Sequence, residues 1–282
     1  MKTFYQRTTC LILCLFFVSC FDTNKQIEEF NYLSEQFADL KIIRYQVPGF
    51  EDLDLRQKKL IYYLSQASLS GRDIIFDQNY RHNLKVRKTL EAIVANYGGD
   101  RNSEDFKSFM EYTKRVWFSG GIHHHYSSKK FNPGFSSKYF VNELITQTNS
   151  SEDFPFPMSK DEDKMDLARH LNKIMFDMEY DSKRVNRDAD ADIILNSANN
   201  YYDHRINHEE VNSFYKKEME QQAPEYGLNS KLSKDKDGKL FENTYKLGGM
   251  YSKAIEQIIY WIEKAKDVAE NDDQKKSFDL LI

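Results

Sequence analysis

Apolar residues recur at helical spacing along most of this chain. Leu53, Leu55, Leu60, Ile61, Leu64 and Ala67 fall on one face, and Gly71 reads as the C-cap that ends it. A second helix is predicted over about Asn83 to Ala95, stopped by Gly98-Gly99. Asn102 and Ser103 cap a third. Its first turn carries Glu104 and Asp105 against the helix dipole, and Phe106, Phe109, Met110, Val116 and Trp117 share one face. Beyond Gly120-Gly121 the periodicity lapses into a loop and resumes near Ser137 to Thr148. Ser159 and Glu162 predict a capping box ahead of Met165, Ala168, Leu171, Ile174 and Met175. Asn207 and Glu210 predict another ahead of Val211, Phe214 and Met219. A last strong helix spans Tyr251 to Val268, with Ile255, Ile258, Ile259 and Ile262 inward.

Strand-like alternation is scarcer. Leu40 to Val47 alternates until Pro48-Gly49 stops it, and Leu228 to Lys234 with Lys239 to Lys246 predicts a hairpin closed by Asp237-Gly238. Residues 22–37 read as a tether or a first short helix. There is no internal repeat and no clear interdomain linker. The fold class expected is α+β, predominantly helical.

Composition narrows this further. The 282 residues are 40% hydrophobic, 30% charged and 14% aromatic, with only 11 Gly and 5 Pro, and the mean hydropathy is −0.72. Those values exclude a multi-span membrane protein and a low-complexity chain. A formal charge of −4 supplies no basic field for nucleic acid. Eighteen Tyr and twenty Phe point instead to an aromatic-rich core or cleft.

The three cysteines, Cys10, Cys14 and Cys20, all lie in the first twenty residues. Lys2 and Arg7 precede an apolar run from Leu11 to Val18, too short to span a bilayer, and Ser19-Cys20 follows. That layout is expected of a bacterial lipoprotein signal over residues 1–19, cut before an acylated Cys20 and followed by a tether over 20–36. The other reading is an ordinary signal with an incidental cysteine; Phe17 stands where lipoprotein signals usually carry Leu. The lipoprotein reading places the chain in the bacterial cell envelope, lipid-anchored at the periplasmic or surface face of the outer membrane. From Cys20 onward it holds 38 basic and 44 acidic residues and one cysteine, so no internal disulfide forms.

Candidate chemistry is sparse. His123-His124-His125 in the Gly120–Pro133 loop is the one histidine cluster, and adjacent histidines on extended backbone diverge, so a polar cleft-lining loop is expected before a metal site. His204 and His208 are four apart, but the metalloprotease pattern H-E-x-x-H fails because residue 205 is Arg. Starting at His208 it fails again at Asn212 and Ser213. Asp188, Asp190 and Asp192 begin a calcium loop that lacks its glycine and glutamate at Ile193 and Asn199. Ser233 to Gly238 begins another that meets Thr244 in place of Glu. No phosphate loop or nucleophile elbow is present.

Four long runs carry a resemblance. Gln66-Ala67-Ser68-Leu69-Ser70-Gly71-Arg72-Asp73-Ile74-Ile75-Phe76-Asp77-Gln78-Asn79-Tyr80, Val116 through Tyr126, Tyr226 through Leu232, and Lys246-Leu247-Gly248-Gly249-Met250-Tyr251 are similar to dipeptidyl peptidase III enzymes of Bacteroides-like type. The similarity runs from about Phe37 to Ile282. It implies two lobes about a wide cleft, one helical and zinc-bearing, the other combining a small β-barrel with helices, and release of dipeptides from free peptide N-termini.

The family's zinc chemistry uses H-E-x-x-G-H and a downstream Glu from an E-E-x-x-A-E-like helix: three ligands, one open position and a carboxylate for the water's proton. This sequence contains neither motif; its Glu-Glu pairs, Glu28-Glu29 and Glu209-Glu210, lack the rest. The resemblance therefore implies the barrel-bearing N-terminal part, over 37–282, with zinc in the whole enzyme, none expected here, and no catalytic residue in this chain. It implies a peptide-groove border at Trp117, His123, His124, His125 and Tyr126, although Trp117 leans toward closing its helix's core face. Short peptides and, through Cys20, a membrane are the expected partners. The chain's apolar end, Phe278, Leu280, Leu281 and Ile282, has no evident partner in the sequence, which is expected of an interrupted chain. The alternative is a stand-alone, non-catalytic helical surface lipoprotein that binds peptides or another partner.

Overall fold

A computed structural model describes residues 30–216 and 229–282, so the leader, Cys20, most of the tether, Met219 and Tyr226 to Leu228 lie outside the described residues. The chain divides into two units, residues 1–46 and 47–282. In the first, β1 (Leu33–Phe37) pairs antiparallel with β2 (Leu40–Ile43) around a tight turn at Ala38, where φ is +50°. Residues 33–37 are therefore strand, not helix or tether, and the strand expected over 40–47 stops at Ile43.

The second unit is helical with one further hairpin. Helix α1 (Leu55–Ser70) starts in a reciprocal box: Gln57 N donates to the Asp54 carboxylate, and Asp54 N donates to the Gln57 side chain. Gly71 ends it as expected, but in right-handed geometry. A Cβ there would meet Ile258 Cδ1 at 3.5 Å, an ordinary contact, so neither space nor φ demands glycine at this position. The chain restarts at once as α2 (Arg72–Asn79), then α3 (Asn83–Asn96) and α4 (Glu104–Ser119), capped by Ser103 and closed at Gly120 with φ +66°.

Between Ser137 and Ile145, where a helix to Thr148 is expected, one α-turn passes into a π-helix, Phe140–Ile145. Helix α5 (Lys164–Phe176) begins four residues beyond the expected box. Asp163 and Asp166 cap it, while Glu162 accepts from Ser159 N and pairs with Lys85 at 2.6 Å. Asn207 and Glu210 cap α6 (His208–Phe214) as the sequence predicts. Strands β3 (Ser230–Lys234) and β4 (Leu240–Thr244) form the expected hairpin. Gly238, at φ +83°, supplies the left-handed step. Helix α7 (Ser252–Asp267) and α8 (Asp272–Leu281), the latter capped by Asn271, complete the unit.

Two apolar clusters hold this unit. The larger gathers α2, α3, α4, the π-helix and α5, with Leu90, Ile93, Phe109, Phe140, Leu144 and Leu171 at zero exposure. Each such side chain contributes about 2–3 kcal/mol of transfer free energy. The smaller, Leu60, Ala67, Ile262, Ala265 and Phe278, joins α1, α7 and α8, and Tyr63 stacks on Trp261 beside it. Arg56 ties α1 to the end of α7, donating to the Val268 carbonyl at 3.1 Å and to that of Ala269. The described fold is thus α+β and mainly helical. Its sheets are two-stranded, and no barrel forms among the described residues. No described helix is long and apolar enough to cross a membrane.

Candidate functional site

The histidine loop is built outward from α3. Asn83, fully buried at the start of that helix, donates to the carbonyls of Phe76 (3.0 Å) and Gly120 (3.3 Å) and accepts from Ile122 N (3.1 Å). Gly121 passes against this amide at φ +148°, and a Cβ there would overlap it. Asn79 also donates to Gly120 O, at 3.0 Å. Arg184 donates to Asn79 Oδ1 (3.3 Å) and to His125 O (3.0 Å), tying the loop to the segment after α5. A short ladder completes the frame. Phe131 N donates to Ile122 O, His124 N to Lys129 O, Lys130 N to Ser182 O and Arg184 N to Ser128 O.

The three histidines have different environments. His123 is 2% exposed; its Nε2 donates to Asp181 O at 2.7 Å, and its Nδ1 has no hydrogen-bond partner. Burial lowers its pKa to about 4, opposed by the bond to Asp181 and reinforced by the positive charges of Lys130 and Arg184. His124 accepts from Tyr126 N and Ser127 N, both at 3.1 Å, so its Nδ1 lone pair is spent on the turn. His125 lies 3.3 Å from Ser119 Oγ. The rings of His124 and His125 do not diverge as extended backbone would require. They stack at 4.6 Å and 18° because residues 124–127 turn. Tyr126 is 86% exposed. Trp117 stands apart: it is 37% exposed, not a core residue, because one more step around α4 carries it past the face of Val116.

Beneath the loop, Tyr80 meets His123 edge-on at 5.2 Å and donates to Asp181 Oδ2 at 2.7 Å; Arg81 donates to the same oxygen at 2.8 Å. Burial, then Asp181, raises the Tyr80 pKa. A second polar cluster adjoins through α2. Asp77 Oδ2 accepts from Tyr251 Oη (2.6 Å) and from Asn200 Nδ2 (3.0 Å), and Asn200 Oδ1 accepts from Lys231 Nζ (2.6 Å). Burial lowers the Lys231 pKa and raises that of Tyr251. Tyr251 holds φ +65°, strained for a residue with a Cβ, and its bond to Asp77 fixes that backbone at the start of α7.

Neither cluster suits zinc. No group of three or more metal-ligating side chains gathers among the described residues. Within the loop, His123 and His124 have nitrogens committed to backbone partners. His82 and His170, with rings 5.0 Å apart, have no third ligand among the described residues. Burial, with Arg81 and His170, lowers the His82 pKa to about 4. His204 and His208 stay on the surface, where His204 lies near Asp203 and His208 near Asn212. The residues sequence reasoning did not single out are Asp77, Asn83, Asp181, Arg184, Asn200, Lys231 and Tyr251. Most stand in runs where single polar residues have no periodic signature.

No family model matches the chain, and no curated protein matches it. Among solved structures, DPP III from Caldithrix abyssi is similar at 17% identity with a TM-score of 0.43, over 84% of this chain. The match spans 31% of that protein's length. A likeness of this size does not bear on mechanism.

Proposed function

We propose that this chain is the N-terminal, zinc-free part of a dipeptidyl peptidase III-type enzyme, contributing one wall of a cleft for short peptides. One observation supports the reading best: segments of the four family-like runs, far apart in sequence, come together through polar side chains. Asp77 of the first run bonds Tyr251 of the fourth directly and Lys231 of the third through Asn200. Asn79 and Tyr80 of the first hold Gly120 and His123 of the second. Hydrophobic packing alone places no demand on such residues. A peptide wall does, because backbone amides and carbonyls need fixed donors and acceptors.

His124, His125 and Tyr126 present area and hydrogen-bonding groups with few rotors, as a peptide groove requires. The reaction's zinc ligands and general base lie outside this chain's residues, so the wall binds and orients but does not cleave. Lipid on Cys20 would hold the chain to the envelope membrane at about 0.8 kcal/mol per buried methylene.

Titrating the purified full chain with a tetrapeptide bearing a free N-terminus, alongside zinc analysis and a dipeptidyl-arylamide assay, tests this. Saturable peptide binding without turnover is expected. Chelator-sensitive turnover with one zinc per chain would overturn it. Absence of peptide binding would overturn it as well. Cys20→Ala should move the protein from the detergent phase to the soluble or unprocessed fraction; unchanged partitioning would make Cys20 incidental.

A further inference from the structure

Arg87 on α3 holds more donors than the fold uses. It is 4% exposed, its guanidinium carbon lies 4.7 Å over the Phe76 ring, and Nη2 donates to Asp73 Oδ1 at 2.8 Å. Nε and Nη1 are buried without hydrogen-bond partners among the described residues. Glu91 Oε1 stands 3.4 Å from Nε, within ion-pair reach but outside hydrogen-bond geometry. A buried donor of a charged group left without an acceptor carries an uncompensated desolvation cost, so an acceptor that reaches it gains unusually much.

The surroundings say what kind of acceptor. Arg87 is part of the lining of a groove of about 320 Å³ with Arg72, Phe76, Glu91 and Trp117. Arg72 is exposed and makes no ion pair among the described residues. Trp117 is 37% exposed, and its indole has no ring partner among them. Two guanidinium groups beside a half-open indole match a carboxylate joined to a flat apolar body.

We infer that this groove binds an aromatic carboxylate, its anion held between Arg72 and the unfilled donors of Arg87 and its ring against Trp117. The inference requires Trp117 or the half-buried Glu91 to change rotamer and admit the anion to those donors. Glu91 opposes it by charge, and Asp73 keeps Arg87 partly neutralised, so the site favours a single carboxylate over a polyanion. The argument rests on the donors of Arg87 and the groove beside them and not on the peptidase reading, although Trp117 is also a position the resemblance puts at the peptide-groove border.

Trp117 and Trp261 are the two tryptophans, so a full-length Trp261→Phe background makes emission report on Trp117 alone. The probes are 3-phenylpropionate, its amide, and acetate. Saturable quenching by 3-phenylpropionate with Kd on the order of 1 mM is expected for a ligand of this size, with the amide and acetate each at least about tenfold weaker. Arg72→Gln should weaken 3-phenylpropionate about tenfold. Glu91→Gln should tighten it severalfold. Arg72 is exposed and Glu91 half-buried, and unchanged circular dichroism and Tm confirm intact protein.

Equal binding of acid and amide, acetate as good as the aromatic acid, or indifference to Arg72→Gln would each overturn the inference. Gly-Phe against Gly-Phe-amide distinguishes the ligand's source. Carboxylate-dependent binding of Gly-Phe assigns the site to peptide C-termini, and its absence beside bound 3-phenylpropionate assigns it to small aromatic acids.

Discussion

His123 shows how one buried side chain couples this fold to pH. Its pKa falls from the ordinary 6.5 to about 4 because burial disfavours the cation, and Lys130 and Arg184 add to that while Asp181 opposes it. A folded-state pKa below the unfolded one means the unfolded chain binds the extra proton first. The stabilisation is therefore complete above about pH 6.5 and is lost as pH falls toward 4, by up to roughly 3 kcal/mol. His82 has the same direction and adds to the acid limb. His123→Gln should lower the urea midpoint at pH 7 but shrink the drop between pH 7 and pH 4.5; an undiminished drop would place the proton elsewhere. Gly121→Ala is expected to cost about 2 kcal/mol or above, since a methyl group at φ +148° would meet the Asn83 amide that holds Phe76, Gly120 and Ile122. Thermal melting checks it: a wild-type Tm would show that Asn83 yields. At this scale the sequence was legible only in part. The loop and its histidines stand out by type, but which imidazole turns inward depends on Asp181 and Tyr80, which lie 58 and 43 residues away. Asp77 and Asn83 look like any polar residue of a helix until the chain is folded.

Elements were read well where a local physical signal exists. Ser103, the Asn207–Glu210 box and the Asp237-Gly238 turn each act over three or four residues, and each is found where the sequence predicts it. Local signals mislead when two compete. Ser159–Glu162 and Asp163–Asp166 both have box spacing; the second wins because Glu162 is drawn to Lys85 of α3, a contact no local rule contains. Likewise the π-helix at Phe140–Ile145 replaces the expected α-helix, bringing Phe140, Leu144 and Ile145 together into the core at the expense of regular hydrogen bonding. The competing caps give a direct test. Asp163→Ala should destabilise the protein by about 1 kcal/mol, the usual worth of an N-cap, and Ser159→Ala by a few tenths at most. Chemical denaturation of the two variants distinguishes them, and a larger loss at Ser159 would restore the earlier start.

At the scale of the helical unit, the larger cluster follows from helical periodicity, whereas the smaller joins α1 to helices nearly two hundred residues later and shows in the sequence only as faces without partners. Phe278 is the instructive case. It lies at an apolar end with no visible partner, yet it is 9% exposed, packed with Leu60, Ala67, Ile262 and Ala265. The neighbouring Leu280 and Leu281 are 81% and 68% exposed. Two opposite outcomes are expected from adjacent positions. Phe278→Ala should cost about 3 kcal/mol, as removal of a core aromatic does, and loosen the α1–α7–α8 layer. The Leu280→Ser, Leu281→Ser double variant should leave stability within about 0.5 kcal/mol and reduce self-association and hydrophobic-dye binding, because it removes exposed apolar surface and no packed side chain. Deleting α8 from Asp272 onward should then behave like Phe278→Ala, with dye binding rising as Leu60 and Ile262 are uncovered. A deletion that keeps the full melting temperature and lowers dye binding would show that α8 does not belong to this core.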